Sequence, residues 1–179
     1  MAQLKEIPVY LFTGFLDSGK TKFIQETLED KRFNNTERTL LLVCEDGDEE
    51  YSPDSFSSDT VFCEMIEDQR QINPDKLSAL ENKYKIDRVV IEYNGMWQVQ
   101  DLYAAIPENW VVYQEMSFAD GSTFLNYNAN MRSLVVDKIM QCDMIAFNRV
   151  PADFDVMQLH QIVRGLSRRA EIAYEFVDG

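Results

Sequence analysis

Residues 14–21 read Gly14-Phe15-Leu16-Asp17-Ser18-Gly19-Lys20-Thr21, two glycines with four residues between them, followed at once by a lysine and a threonine. What flanks them constrains the fold more than any other feature of the chain. Pro8-Val9-Tyr10-Leu11-Phe12 is β-branched and aromatic, which suits a buried parallel strand. After the lysine, Phe23, Ile24, Thr27 and Leu28 fall on one face of a helix. A strand, a glycine-bearing loop and a helix N-terminus in that order make an anion site. Backbone N–H groups converge there and the helix dipole favours negative charge. Such a loop takes nucleotide phosphates, with contacts expected from Gly14, Asp17, Ser18, Gly19, Lys20, Thr21 and Lys22. Lys20 can reach the β- and γ-phosphates, and the Thr21 hydroxyl is placed to ligate Mg²⁺.

Composition narrows the partners. The 179 residues suffice for one α/β domain spanning 1–179 and fall short of two. Apolar residues make up 45% and charged residues 27%, the balance of a folded globule. A net charge of −14 argues against nucleic acid or an anionic membrane as partner. Phosphate must therefore be held locally, against the field of the whole chain. With no signal-peptide pattern at the start and no apolar run near membrane-spanning length, the sequence predicts a cytoplasmic protein. Cys44, Cys63 and Cys142 are widely spaced and form no C-x-x-C pair, so they read as reduced thiols. His160, the lone histidine, reads as a flanking residue on a helix.

Element types alternate. Strands are expected at 8–13, 39–44, 60–64, 88–93, 110–116, 143–148 and 170–177, and helices at 20–30, 75–84, 96–105, 130–141 and 154–168. Within Thr39–Val43 and Arg88–Ile91, Leu40–Val43 and Val89–Ile91 are continuously apolar, as strands covered on both faces are. The predicted fold is a three-layer α/β/α nucleotide-binding fold on a mainly parallel sheet, with ligands at the carboxyl ends of the strands. Two stretches interrupt the rhythm. Glu45–Asp59, acidic and Ser-rich with Pro53, reads as a mobile loop, either merely solvated or serving as a switch that handles a cation. Ala119–Thr123 reads as a turn. The chain stops two residues after its last strand pattern, which suggests the N-terminal part of a longer protein.

Hydrolysis needs a Mg²⁺-binding acid at the end of a neighbouring strand. Asp87–Glu92 is an apolar strand ending in Glu92, with Gly95 three residues on to admit a phosphate. The plain alternative for Glu92 is a cap on the helix from Met96. Base recognition is expected at Met144–Arg149, an apolar strand ending in Asn148-Arg149, which approximates the first half of an Asn-Lys-x-Asp guanine signature. Its acid is missing, since Val150 and Pro151 follow; Asp153 is the nearest substitute, or else the N-cap of the next helix.

Taken together, these segments resemble the CobW branch of the CobW/HypB/UreG family of GTPases and metallochaperones, over residues 8 to 177. Gly14–Thr21 is similar to that branch's GFLGSGKT, differing at Asp17. Val43–Asp48 is similar to its NEFGE segment, with Cys44 in place of Asn, and Ile91–Gly95 matches its hhhExxG. Asn148-Arg149 stands for its NKxD. The family's GCxCC metal motif is absent; only Cys63 lies in that interval.

The resemblance implies a GTP-binding, Mg²⁺-dependent hydrolase, slow alone, acting in metal homeostasis through a client metalloprotein or a further C-terminal domain. It allows a nucleotide-dependent dimer. Lys20, Glu92 and Glu45 are the expected catalytic residues, with Thr21, Glu45 and Glu92 around Mg²⁺. The alternatives are a scaffold that senses nucleotide without hydrolysis, and an ATP-dependent kinase using Asp46 or Asp48 as base. Without a thiolate cluster, nucleotide-linked Mg²⁺ is the only functional metal expected in this chain.

Overall fold

The computed structural model describes residues 4–177, just inside both ends of the span expected to form the domain. Seven parallel strands form one sheet: β1 (Ile7–Gly14), β2 (Thr39–Val43), β3 (Val61–Met65), β4 (Arg88–Glu92), β5 (Trp110–Asp120), β6 (Met144–Val150) and β7 (Glu171–Phe176). Their order is β3-β2-β4-β1-β5-β6-β7, with β1 at the centre. Every residue of β2 and β4 is buried, as their unbroken apolar runs require. Six helices are α1 (Lys20–Glu29), α2 (Pro74–Tyr84), α3 (Val99–Ala105), α4 (Phe124–Asn130), α5 (Arg132–Ile139) and α6 (Met157–Leu166).

The two faces are covered unequally. On one, Leu77 and Leu80 of α2 and Val99 and Leu102 of α3 pack on Val9, Leu11, Leu42 and Ile91. Val135 and Ile139 of α5 and Leu159 and Val163 of α6 continue that layer over Ile145 and Phe147. On the other face α1 alone contributes buried helical side chains, Ile24 and Leu28, against Phe12, Leu41, Val90 and Phe118. The missing cover comes from the 45–59 segment, which is anchored where the sequence predicted a mobile loop. Tyr51 and Phe56 pack on that core. Ser52 exchanges hydrogen bonds with the Gln25 amide, and the Ser57 N–H donates to the Leu28 carbonyl. Apolar burial outweighs its acidic composition, because its charged side chains other than Glu45 point outward.

Two further differences have local causes. Helix α4 lies beyond the expected turn; Asn126, Asn128 and Asn130 are weak helix formers. It is held by buried Phe124 and by Tyr127 stacked on Phe15 with ring centroids 4.0 Å apart. Strand β5 runs to Asp120, past its apolar stretch, because it pairs with β1 as far as Gly14↔Phe118 and with β6 as far as Asp120↔Asn148. Among the described residues, no helix is long and apolar enough to cross a membrane.

Candidate nucleotide site

The 14–19 loop joins β1 to α1 at the carboxyl edge of the sheet. Asp17 and Gly19 take left-handed backbone conformations, φ 59° and 103°. At Gly19 a side chain would be strained and would collide with the Asn148 amide, 2.3 Å from where its Cβ would lie. Lys20 opens α1 and is 3% exposed. Its ammonium curls back to donate to the Gly14 carbonyl, to both Glu45 oxygens at 3.2 Å and to the Tyr93 carbonyl at 3.4 Å. Burial lowers its pKa, while Glu45 and Glu92 push it back up.

Glu92 ends β4, which lies beside β1. Its carboxylate accepts from the Thr21 hydroxyl at 3.0 Å to each oxygen and from the Tyr51 hydroxyl. Burial raises the Glu92 carboxyl, against the pull of the Tyr51 hydrogen bond and the Lys20 charge. Glu45, just past β2, also accepts from the Gly95 N–H at 2.7 Å. Gly95 is pressed against the loop: a Cβ there would lie 2.5 Å from the Gly14 carbonyl oxygen and 2.7 Å from Phe15 Cα. Ser18, Lys20, Thr21, Glu45, Glu49 and Glu92 line an open cleft of about 290 Å³, the solvent at its mouth included.

A wider cleft of about 640 Å³ adjoins it, lined by Lys22, Phe23, Asn148, Arg149 and Glu175 among others. The Asn148 amide donates to the Ser18 carbonyl at 2.8 Å. Arg149, at φ 54°, donates to Asp120 at 2.7 Å and to the Asp17 carbonyl, tying the end of β6 to the phosphate loop.

The structure thus brings together Asp17, Ser18, Gly19, Lys20, Thr21, Lys22, Glu45, Glu92, Asn148 and Arg149 along two adjoining clefts, while Gly14 lines neither and meets the site through its carbonyl, which accepts from Lys20. Asp153 is left out: it is exposed, lines neither cleft, and does not cap α6, whose N-cap is Val156. Asp46 and Asp48 are likewise exposed and line neither cleft. Sequence reasoning missed Tyr51, Asp120 and Glu175, while Glu49 falls in the acidic run read as either solvated or cation-handling. Tyr51 alone carried a signal, as the aromatic closing an acidic run. Cys44 is buried in the core under α2, while Cys63 is exposed on the side of β3 opposite Phe62, which packs on that same core. Cys63 aligns with Leu41, three rungs from Cys44, so the two thiols stand roughly 10 Å apart along the strand and on opposite faces.

The family model of the CobW/HypB/UreG nucleotide-binding domain matches residues 8–174. The chain belongs to the CobW/HypB/UreG family. Among solved structures it is similar to a Zn(II)-bound triple mutant of the YjiA GTPase, with 17% identity, TM-score 0.67, and coverage of 98% of this chain and 60% of that one. Zn(II)-bound YjiA GTPase from E. coli gives 18% identity and TM-score 0.66, covering 94% and 57%. The hydrogenase maturation factor HypB from Archaeoglobus fulgidus gives 16% identity and TM-score 0.63, covering 96% and 81%. At these identities the likeness is one of fold. The chain spans about three-fifths of the two YjiA structures. No curated protein matches it.

The donors of this CobW-family site suit a nucleotide with Mg²⁺. Ser18 Oγ is buried with no hydrogen-bond partner among the described residues, and a phosphate oxygen would satisfy it. A hydroxyl and two carboxylates, Thr21, Glu45 and Glu92, line one cleft as hard oxygen donors, the ligand type Mg²⁺ prefers.

Proposed function

We propose that this domain binds GTP with Mg²⁺ and hydrolyses it slowly, coupling the two nucleotide states to a partner in metal handling or metallocofactor assembly. The observation that carries the reading is the convergence of Lys20, Thr21 and Glu92 with the loop amides at one end of the 290 Å³ cleft. Family membership supports the choice of GTP and of metal-linked biology. The partner is a client metalloprotein or a further domain of a longer chain, and the setting is the cytoplasm. A nucleotide-dependent dimer fits the same reading.

In the reaction, water attacks the γ-phosphorus, the bond to the β–γ bridging oxygen breaks, and GDP and phosphate leave. Lys20 and the loop N–H groups neutralise charge as it builds on the phosphoryl oxygens. Thr21 and Glu92 would hold the Mg²⁺ directly or through water, and the bound ion supplies charge neutralisation on the β- and γ-phosphates. Glu45, at hydrogen-bond distance from both Lys20 and the Gly95 N–H, orients the attacking water. Asn148 and Arg149 line the wider cleft and bound the base.

Titration with GDP and ADP, followed by single-turnover hydrolysis with and without Mg²⁺, tests the reading. Lys20→Ala should weaken GDP binding at least tenfold, since a charge-assisted phosphate contact is worth roughly 1.5–3 kcal/mol. A folded Lys20→Ala domain with undiminished affinity, or wild type that binds neither nucleotide, would remove the site.

A further inference from the structure

A guanine-reading site needs a carboxylate for the base N1–H and N2–H₂, and the segment that should supply it does not. Val150 and Pro151 follow Asn148-Arg149, and Asp153 is exposed and lines no part of the cleft. Three acids do line it, Glu26, Glu49 and Glu175. Glu26 lies on α1, one turn beyond Lys22 and away from the strand ends. Glu49 also lines the phosphate cleft, which fixes it at the wrong end.

Glu175 stands where the chemistry needs it. Strand β7 pairs with β6 at Phe147↔Tyr174 and, after a register shift, at Val150↔Phe176. Glu175 therefore lies beside Asn148 and Arg149, one strand over. Tyr174 stacks on Phe147 on the α5–α6 face, so its neighbour Glu175 turns to the opposite face, the one α1 covers. The Asn148 amide spends one hydrogen on the Ser18 carbonyl and has a second for guanine N7 or O6. Strand β7 lies about 4.8 Å from β6, and Glu175 lines the same cleft as Asn148 and Arg149, which puts its carboxylate within reach of the N1–N2 edge of a base held there.

We propose that Glu175 is the specificity-determining acid of this domain, accepting hydrogen bonds from guanine N1 and N2 in place of the acid missing after Asn148-Arg149. The proposal rests on the GTP reading above and deepens it. A glutamate on a neighbouring strand replaces an aspartate on the same loop, and its extra methylene supplies reach.

The test is competition of unlabelled GDP, XDP and ADP against fluorescently labelled GDP, on wild type, Glu175→Gln, Glu175→Asp and Asp153→Ala. Because Glu175 is exposed at a strand end, its variants should melt as wild type does. Glu175→Gln should lose GDP affinity by roughly 10- to 100-fold, as expected when one good base-edge contact is removed. It should keep ADP affinity and gain on XDP, whose carbonyl at position 2 accepts from an amide. Glu175→Asp should fall between, and Asp153→Ala should match wild type. A Glu175→Gln domain whose GDP-to-ADP ratio stays within twofold of wild type overturns the role of Glu175 and leaves guanine binding standing. Loss of preference in Asp153→Ala alone does the same. Equal GDP and ADP affinities in wild type would sink the guanine reading itself.

Discussion

Lys138 carries an ammonium into a place that offers it no acceptor. On α5 behind the phosphate loop it is 3% exposed, sits 4.7 Å from the Phe15 ring centroid, and has no hydrogen-bond partner among the described residues. Burial lowers its pKa from 10.5 to about 8, outweighing the opposing charge of Asp137. The sign follows from proton counting. Between about 8 and 10.5 the unfolded chain binds the proton and the folded chain does not, so stability rises with pH across that window. Below it both states are charged and the penalty is fully present. Lys138→Met should therefore stabilise the domain at pH 7, by up to roughly 3 kcal/mol, and flatten stability between pH 8 and 10.5. Chemical denaturation across that range checks both; an unchanged pH slope would mean the ammonium is solvated. The sequence conveyed nothing of this, because a lysine in an amphipathic helix reads as surface. Lys20, Thr21 and Glu92 were legible because motif spacing fixes them locally. The base-side acid was not, since strand order decides which carboxylate reaches Asn148.

Helices and strands were legible wherever periodicity and burial agreed, as in β2, β4 and α1. They were missed where tertiary contacts override local preference, as in Asn-rich α4. The 45–59 segment shows the same limit, since its anchors are two aromatics and the Gln25 amide rather than its abundant acids. The turn after β4 carries the sharpest test at this scale. With Gly14 carbonyl oxygen 2.5 Å from the position of a Gly95 Cβ, Gly95→Ala must displace the phosphate loop backbone or the β4–α3 turn. Backbone cannot yield as a flexible side chain does. GDP affinity should fall at least tenfold, and the melting temperature should drop by several degrees, as expected for a destabilisation of about 1–3 kcal/mol from overpacking. Isothermal titration and a thermal melt on the same preparation separate the two effects. Wild-type values in both would mean that the turn has slack the distances deny.

Over the whole molecule, a net charge of −14 coexists with a site for a polyanion because the favourable groups act at contact distance. Lys20, the loop amides and the start of α1 face the cleft, while Asp46, Asp48 and Glu50 point to solvent. The sheet order has a consequence in time. Strand β1, which carries the phosphate loop, pairs with β4 at Val9↔Val89 and with β5 at Ile7↔Trp110, partners made long after it during synthesis. The loop thus has no scaffold until β4 and β5 have followed it out of the ribosome, and Asn148 arrives later still. Nascent chains arrested before residue 110 should bind no nucleotide, and binding should appear abruptly once β5 and β6 have cleared the exit tunnel. Labelled GDP bound to ribosomes stalled at successive lengths would measure the onset, and capture by a chain ending near residue 100 would break the expectation. Until then the residues best suited to hold a nucleotide are made but unsupported, waiting for strands that follow them in the chain.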